Sequence, residues 1–249
     1  MSIHRKNLYC RFFLLFFFIS PASANDKIAV IIDDLGFHYP NGLRTLQLSG
    51  KVASSFLPYT PYAIKLAHKA HQLNKEILLH LPMEALGKKS QEPGILTSTQ
   101  PFHKFYQTLY GDLFNIPHIS GINNHKGSLL TGNRVRMQWL MRELSQLGNI
   151  FFIDSYTHFS SVVYQTAKDY GIKTARRDTF LDNVRTHEAI QKQWQKLIDR
   201  AKINGSALAI GHPYKQTLDI LEKNLPLLKQ QNIDLITVKQ LIQFQQNRQ

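Results

Sequence analysis

Lys27-Ile28-Ala29-Val30-Ile31-Ile32-Asp33-Asp34-Leu35-Gly36-Phe37 is a run of branched apolar residues that ends in two adjacent carboxylates. Its length and its richness in Ile and Val fit a strand buried on both faces, as in a parallel sheet covered by helices. Burying two acids at its end is costly. Neighbouring strand residues point to opposite faces, so Asp33 and Asp34 share one solvated surface only where the strand has ended. The carboxyl end of a strand, where α/β sheets keep their active sites, resolves the conflict. An ordinary Asx turn closing on Gly36 is the other reading of the same residues.

Upstream of this strand, residues 1–24 read as an export signal. His4, Arg5, Lys6 and Arg11 form a basic region, Phe12 to Ile19 an apolar core, and Ala22-Ser23-Ala24 a cleavage site, with cleavage after Ala24. The apolar core is far shorter than the roughly 20 residues a spanning helix needs, so no transmembrane anchor is expected after cleavage. Losing Arg5, Lys6 and Arg11 and no acid lowers the formal net charge from +13 to +10, and the sole cysteine, Cys10, goes with them. A mature chain without thiols suits an oxidising envelope compartment and has no disulfide framework. Residues 25–249 carry no Pro/Ser-rich linker or composition break and read as one domain. The basic residues are scattered singly, which together with export argues against nucleic acid. A polyanionic envelope surface is the expected electrostatic partner, though a generally solvated basic surface explains the charge equally well.

Downstream, apolar strands alternate with helices. Val52 to Leu57 is a strand stopped by Pro58, and Pro61 opens a helix with Ile64, Ala67, Ala70 and Leu73 on one stripe. His68 and His71 lie on that helix among lysines and read as a solvated face. Glu76 to Glu84 is the next strand, and residues 85–100 form a long Gly/Ser/Pro/Thr loop of the kind that is usually functional. Pro101 starts a helix to about Asn115, and Ile119 to Ser128 is a strand running into a polar turn. A helix over about Arg134 to Leu147, a strand over Ile150 to Ser155 and a helix over Ser161 to Tyr170 follow. Ile172 to Ala175 is another strand, and a long helix from about His187 to Asn204 precedes the strand Ser206 to Pro213. A helix Lys215 to Gln230, a last strand Asp234 to Val238 and a polar tail complete the chain. Strict alternation of about eight strands with helices implies a parallel sheet, closed as a (β/α) barrel of seven or eight units. The alternative, a doubly wound open sheet, would carry a glycine-rich phosphate fingerprint after its first strand, and none is present.

Six strand ends carry groups that can ligate or titrate. They are Asp33 and Asp34; His80 and Glu84; Asn124 and His125; Asp154; Arg176 with Asp178; and His212. In a barrel these places share one face. Carboxylate and imidazole without thiolate suit zinc or a similar divalent ion, and three such ligands leave a position for water. An adjacent carboxylate can take the water's proton and an imidazole can protonate the leaving group, which describes metal-assisted hydrolysis of an acyl bond. Asn123-Asn124 also reads as a tight turn. Of Arg176 and Arg177, one is expected to pair with Asp33 or Asp178 and hold that carboxylate ionised. His38, His103, His118, His158 and His187 have no role in their context.

The chain resembles the divergent polysaccharide deacetylases, an envelope branch of the NodB-like carbohydrate esterases, from about Ile28 to Ile242. The resemblance rests on Ile31 to Gly36, on His80-Leu81-Pro82-Met83-Glu84, on Gly121 to Ser128, on Phe152-Ile153-Asp154-Ser155 and on Ala209-Ile210-Gly211-His212-Pro213. It implies a NodB-like barrel in which Asp33 is the general base and Asp34 a metal ligand. His80 matches the first histidine of the family's His-x-x-x-His metal motif. The chain departs at the second, where Glu84 stands, so the third ligand is Glu84 or His125. His125 is favoured, because Pro82 stiffens the turn and a neutral imidazole keeps the site less negative. His212 matches the general acid, with Asp154 or Asp178 orienting a neighbour, and Asn124, Arg176 and Asp178 fall to the substrate. The expected protein is an exported, periplasmic or envelope-associated, zinc-type deacetylase of N- or O-acetyl groups on an envelope polysaccharide such as peptidoglycan. The lost motif histidine leaves a second reading, a degenerate barrel that binds glycan or an envelope protein without turnover. Phosphoester hydrolysis, a third, would need a phosphate-gripping cluster for which Arg176 and Arg177 are the only support.

Overall fold

A computed structural model describes residues 25–87 and 91–248 of the chain. The expected export segment, residues 1–24 with Cys10, lies outside the described residues. In chain order the elements are β1 (Asp26–Leu35), α1 (Tyr39–Gln47), β2 (Ala53–Phe56), α2 (Ala63–Gln72), β3 (Ile77–Met83) and α3 (Phe102–Asn115). There follow β4 (Gly121–Lys126), α4 (Arg134–Gln146), β5 (Phe151–Asp154), α5 (Val163–Asp169), β6 (Thr174–Arg176) and β7 (Thr179–Phe180). The chain ends with α6 (His187–Asn204), β8 (Ser206–Gly211), α7 (Lys215–Asn224), β9 (Ile233–Leu235) and α8 (Val238–Gln246).

Every strand pairing is parallel, in the order β6-β5-β4-β3-β2-β1-β8-β7, with β9 alongside the first residues of β1. The two ends of that order are successive pieces of one extended segment, which pairs first with β5 and then with β8. At the seam the Arg177 N–H donates to the Asp154 carbonyl (3.0 Å) and the Asp178 N–H to the Leu208 carbonyl (2.9 Å). The sheet thus curls back on itself as the expected α/β barrel.

Alternation along the strands divides the apolar residues into two clusters. Ala29, Ile31, Ala53, Leu78, Phe151, Ile153, Ala175, Leu208 and Ile210 pack together inside the curl. Their neighbours Ile28, Val30, Ile32, Leu79, Leu81, Ile122, Phe152, Ala207 and Ala209 pack outward beneath the helices. Gly121 leaves room inside, because a Cβ there would run into the Phe151 ring. The expected polar tail is the helix α8, whose Val238, Leu241 and Ile242 join the inner cluster at the end where the strands begin. Thr237 and Gln240 form a capping box there, and the Glu76 carboxylate accepts the N–H groups of Val238 (2.6 Å) and Lys239 (3.0 Å). In α2 the buried stripe is Ala63, Leu66, Ala67 and Ala70, while the expected Ile64 and Leu73 are exposed at the flank.

Asp112 on α3 is fully buried, and neither oxygen has a hydrogen-bond partner of good geometry, although the Tyr59 hydroxyl stands beside it. Burial pushes its carboxyl up to about 8. The folded chain therefore keeps a proton that the unfolded chain releases near its ordinary value of 3.8, so folding stability falls as pH rises through that interval. Asp112→Asn abolishes this contribution. The difference in thermal midpoint between variant and wild type should grow in the variant's favour from about pH 4 to pH 8 and level off above it. Thermal scans across that range check it.

Candidate metal centre and catalytic cleft

Asp33 and Asp34 both approach His80 Nε2, at 3.5 and 3.3 Å, because the chain leaves the β conformation between them. The register between β1 and β2 slips between Ile32 and Leu35, and Asp34 takes φ +55°, a left-handed conformation that Asp tolerates better than most residues. Asp33 keeps the inner-face parity of Ala29 and Ile31, and the kink turns Asp34 back toward the same space.

His80 on β3 is buried behind this pair and its orientation follows from Asn123 on β4. The carboxylate of Asp33 only accepts, so the Asn123 amide NH2 donates to Asp33 Oδ1 (2.8 Å) and Oδ2 (3.0 Å). Asn123 Oδ1 is left to accept from Ser55 Oγ (2.6 Å) and His80 Nδ1 (3.1 Å). With its proton on Nδ1, His80 presents the Nε2 lone pair to the cavity. His125 is set in the same way: its Nε2 lies 3.3 Å from Glu92 Oε2, which leaves Nδ1 facing inward. Glu92 also pairs with Lys126.

Three electron-rich atoms then converge. Asp34 Oδ1 stands 3.3 Å from His80 Nε2 and 3.1 Å from His125 Nδ1, and the two nitrogens are 3.2 Å apart. Atoms bound at about 2.0–2.1 Å in a tetrahedron are about 3.3 Å apart, so the triangle fits one face of a zinc-type coordination shell. Asp34, His80 and His125 form the group among the described residues that could hold a metal ion in this way. Each imidazole has an outer partner, Asn123 or Glu92, as metal-ligating histidines generally do. In the absence of an ion the cavity-facing nitrogens can instead be protonated, and hydrogen bonds from His125 and His80 then outweigh the upward push of burial and hold the Asp34 carboxyl far below the usual carboxylate range. Burial pulls His80 down while Asp33 and Asp34 push it up, with a net rise.

Across the cavity, His212 follows β8. Its Nδ1 donates to Asp182 Oδ1 (2.8 Å) and its backbone N–H to Asp182 Oδ2 (2.6 Å), which also accepts from Thr217 Oγ1 (2.7 Å). The other ring nitrogen, Nε2, lies 3.8 Å from Asp34 Oδ2. Burial lowers the His212 pKa, but Asp182 first and then Asp33 and Asp34 raise it by more. Asp33, His80, His125 and His212 line a polar cleft of about 330 Å³ with Asn124, Ser155 and Arg177.

Other expected residues lie elsewhere. Asp154 is on the outer side of β5, where it accepts from the Tyr156 N–H (2.8 Å) and Ser161 Oγ (2.9 Å) and does not orient His212. Asp178 accepts the Leu208 N–H (2.7 Å) and latches the seam, so it is not at the substrate cleft. Arg176 packs its guanidinium over the Tyr156 and Tyr164 rings and, with Asp178, lines a separate groove near Gln245. Arg177 is the arginine in the cleft, held by the Ser155 carbonyl (2.7 Å) and the Tyr156 carbonyl (2.9 Å). Asn124 borders the cleft, but its side chain is occupied by the Lys126 carbonyl (2.8 Å) and the Ser155 N–H (2.9 Å). Glu84, the alternative third ligand, accepts from the Ser98 N–H (2.7 Å) and Oγ (2.6 Å) and ties down the 91–100 segment. Asn123, Asp182, Ser55 and Glu92 had not been expected in the site, and Arg177 had been named only jointly with Arg176 as a partner for Asp33 or Asp178.

A curled parallel sheet with carboxylate, imidazole and amide groups gathered at the carboxyl ends of its strands defines a NodB-like (β/α) barrel with a metal-competent cleft. The chain belongs to the divergent polysaccharide deacetylase family, whose model matches residues 30–242. It is 35% identical over 210 residues to the uncharacterized protein YibQ of Escherichia coli K12, covering 83% of this chain and 65% of YibQ. The chain thus spans just under two thirds of that relative's length. The structure is similar to that of an uncharacterized protein from Agrobacterium tumefaciens C58, with TM-score 0.84, 20% identity and coverage of 89% of this chain and 91% of that one. It is more distantly similar to the peptidoglycan deacetylase PdaC of Bacillus subtilis, with TM-score 0.53, 12% identity and coverage of 90% and 93%. Similar structures also include a mutant of a CE4 family pseudoenzyme with restored activity, at TM-score 0.54 and 14% identity, covering 88% of this chain and 68% of that one. No helix among the described residues is long and apolar enough to cross a membrane.

Zinc titration with elemental analysis tests the donor set. His80→Ala and His125→Ala should each abolish stoichiometric uptake, Asn123→Ala should weaken it about 10–100-fold, and Glu84→Gln should leave it unchanged. Full uptake by the double variant His80→Ala/His125→Ala would overturn the assignment.

Proposed function

We propose that the protein is a metal-dependent hydrolase that removes N- or O-acetyl groups from an envelope polysaccharide, with peptidoglycan the leading substrate class. The observation that carries this reading is the meeting, in one cleft, of Asp33, the Asp34-His80-His125 triangle and the Asp182-backed His212. The exported, periplasmic location is read from residues 1–24.

In this reading Asp34, His80 and His125 hold a divalent ion, with zinc the best match to the donors. Bound there, such an ion supplies Lewis-acid polarisation of the acyl carbonyl and makes water acidic enough to attack near neutral pH. Asp33 takes the water's proton. The Asn123 amide, donating to both of its oxygens, fixes that carboxylate in place. His212 carries its proton on Nε2 toward the cleft and delivers it to the leaving amine or alkoxide, while Asp182 holds the ring by Nδ1 and stabilises its charged form. Arg177 places a guanidinium at the cleft wall, where it can take sugar hydroxyls or a neighbouring carboxylate of the glycan.

The departure from the family's His-x-x-x-His motif keeps a binding-only barrel as the rival, and the intact acid, base and ligand triangle weigh against it. Acetate release from N-acetylglucosamine oligomers and peptidoglycan fragments by the zinc-loaded protein tests the choice. Asp33→Asn and His212→Ala should each lower kcat/KM by at least about 10²-fold, without loss of bound zinc in Asp33→Asn. Tight binding of these glycans by the wild type with no release above Asp33→Asn would favour the rival.

A further inference from the structure

The triangle borders a second hollow besides the polar cleft. This one holds about 340 Å³ and is walled by Phe37, Leu57, Pro58, Tyr59, Pro82 and Pro93. The two hollows share His125 and Lys126, and Asp34 lines the second one, so the metal-competent atoms lie where they meet. Their chemistry differs. The cleft presents Asn124, Ser155, Thr157 and Arg177, groups suited to a hydroxyl-rich sugar.

The charged groups on one side of the second hollow are already engaged, Glu92 with His125 and Lys126. Three of its wall residues are prolines, which bring no N–H donor. The Tyr59 hydroxyl stands beside Asp112, and the Thr60 hydroxyl is bonded to the Leu57 carbonyl (2.8 Å). Phe37 is 64% exposed at the rim, with its ring largely open to solvent. A dry cavity of about 150 Å³ accommodates benzene, so this hollow is roughly twice what a six-carbon ring requires and far more than an acetyl methyl can fill.

We propose that the site also takes acyl groups longer than acetyl and prefers a medium-length aliphatic chain of roughly six to ten carbons, joined to the sugar by an amide or ester bond. The inference rests on the hydrolytic reading of the same site. The sugar lies in the polar cleft, the carbonyl carbon at the triangle, and the chain in the apolar hollow. Water adds to the carbonyl carbon, the C–N or C–O bond breaks, and the amine or alcohol leaves with the proton from His212. The products are a fatty acid and a free amino or hydroxyl sugar. Lys126, paired with Glu92 at the border of the two hollows, is placed to meet the carboxylate product.

The test is a chain-length series of N-acylglucosamines, acetyl to decanoyl, with the zinc-loaded full-length protein. kcat/KM should rise up to about fourfold per methylene and stop rising near the octanoyl or decanoyl member. Phe37→Ala should lower the octanoyl-to-acetyl ratio of kcat/KM about tenfold. A maximum at acetyl, with activity falling along the series, overturns the proposal and leaves deacetylation standing. Calorimetric binding of N-octanoylglucosamine and N-acetylglucosamine to Asp33→Asn gives an answer independent of turnover. Preference for the octanoyl ligand, weakened about tenfold by adding Phe37→Ala, supports a chain seated in this hollow. Equal affinities, or no effect of Phe37→Ala, overturn it. Absence of hydrolysis across the whole series counts against the hydrolytic reading, and the binding comparison still decides where the chain sits.

Discussion

A β-strand cannot point two consecutive side chains into one space, and bringing both Asp33 and Asp34 to His80 Nε2, at 3.5 and 3.3 Å, requires a break in it. The left-handed Asp34 and the slipped register beside β2 meet that requirement at a single residue. Such a conformation costs on the order of 1–3 kcal/mol, and the surrounding structure offsets it. Asn123 bonds Asp33 through both carboxylate oxygens, and His80 and His125 flank Asp34. Two carboxylates brought this close repel each other. Together with two imidazoles they form a cluster that a cation stabilises, and every inner residue above the apolar layer is arranged around it.

The same alternation explains what the sequence disclosed and what it hid. The inner apolar residues are Ala29 and Ile31, then Leu78, then Phe151 and Ile153, then Ala175, then Leu208 and Ile210. Continuing each series by two gives Asp33, His80, Ser155, Arg177 and His212, all of which line the cleft. On β4, Gly121 leads likewise to Asn123 and His125. Choosing residues because they stand near a strand end found Asp33, His80, His125 and His212. It also selected Asp154, Asn124 and Arg176, each one step out of phase with its inner series. The inward-facing neighbours, Ser155, Asn123 and Arg177, were available from a count of two along each strand. Asp182 was hidden for a different reason, because β7 is only two residues long and sets no phase to extend.

The barrel's order of elements was legible because the strands are apolar and the helices amphipathic, so the period changes at each boundary. The final helix was not. Val238–Gln246 carries only three buried apolar residues among lysine and glutamines, and its docking depends on the Glu76 carboxylate from the turn before β3. A contact across 162 residues leaves no local trace. Its position nevertheless decides the architecture of the cavity. By closing the end where the strands begin, α8 lets the inner apolar layer stay dry and leaves the carboxyl ends as the open side.

That asymmetry bears on whether the barrel turns substrate over or only holds it. A sugar-binding surface works with solvated amides, hydroxyls and aromatic faces, none of which has to be forced into a buried cluster. Here the chain adopts a left-handed aspartate and buries an aspartate-bound asparagine behind it. It also fixes His212 with a second buried carboxylate that has no access to a ligand. Asp182 grips His212 through side chain and backbone together, an arrangement that sets which ring nitrogen faces the cleft. Fixing one tautomer matters to proton delivery and is of no consequence to a hydroxyl that would accept either nitrogen as partner. The burial of Asp182 is therefore the feature that binding without chemistry explains least well, and it weighs toward turnover.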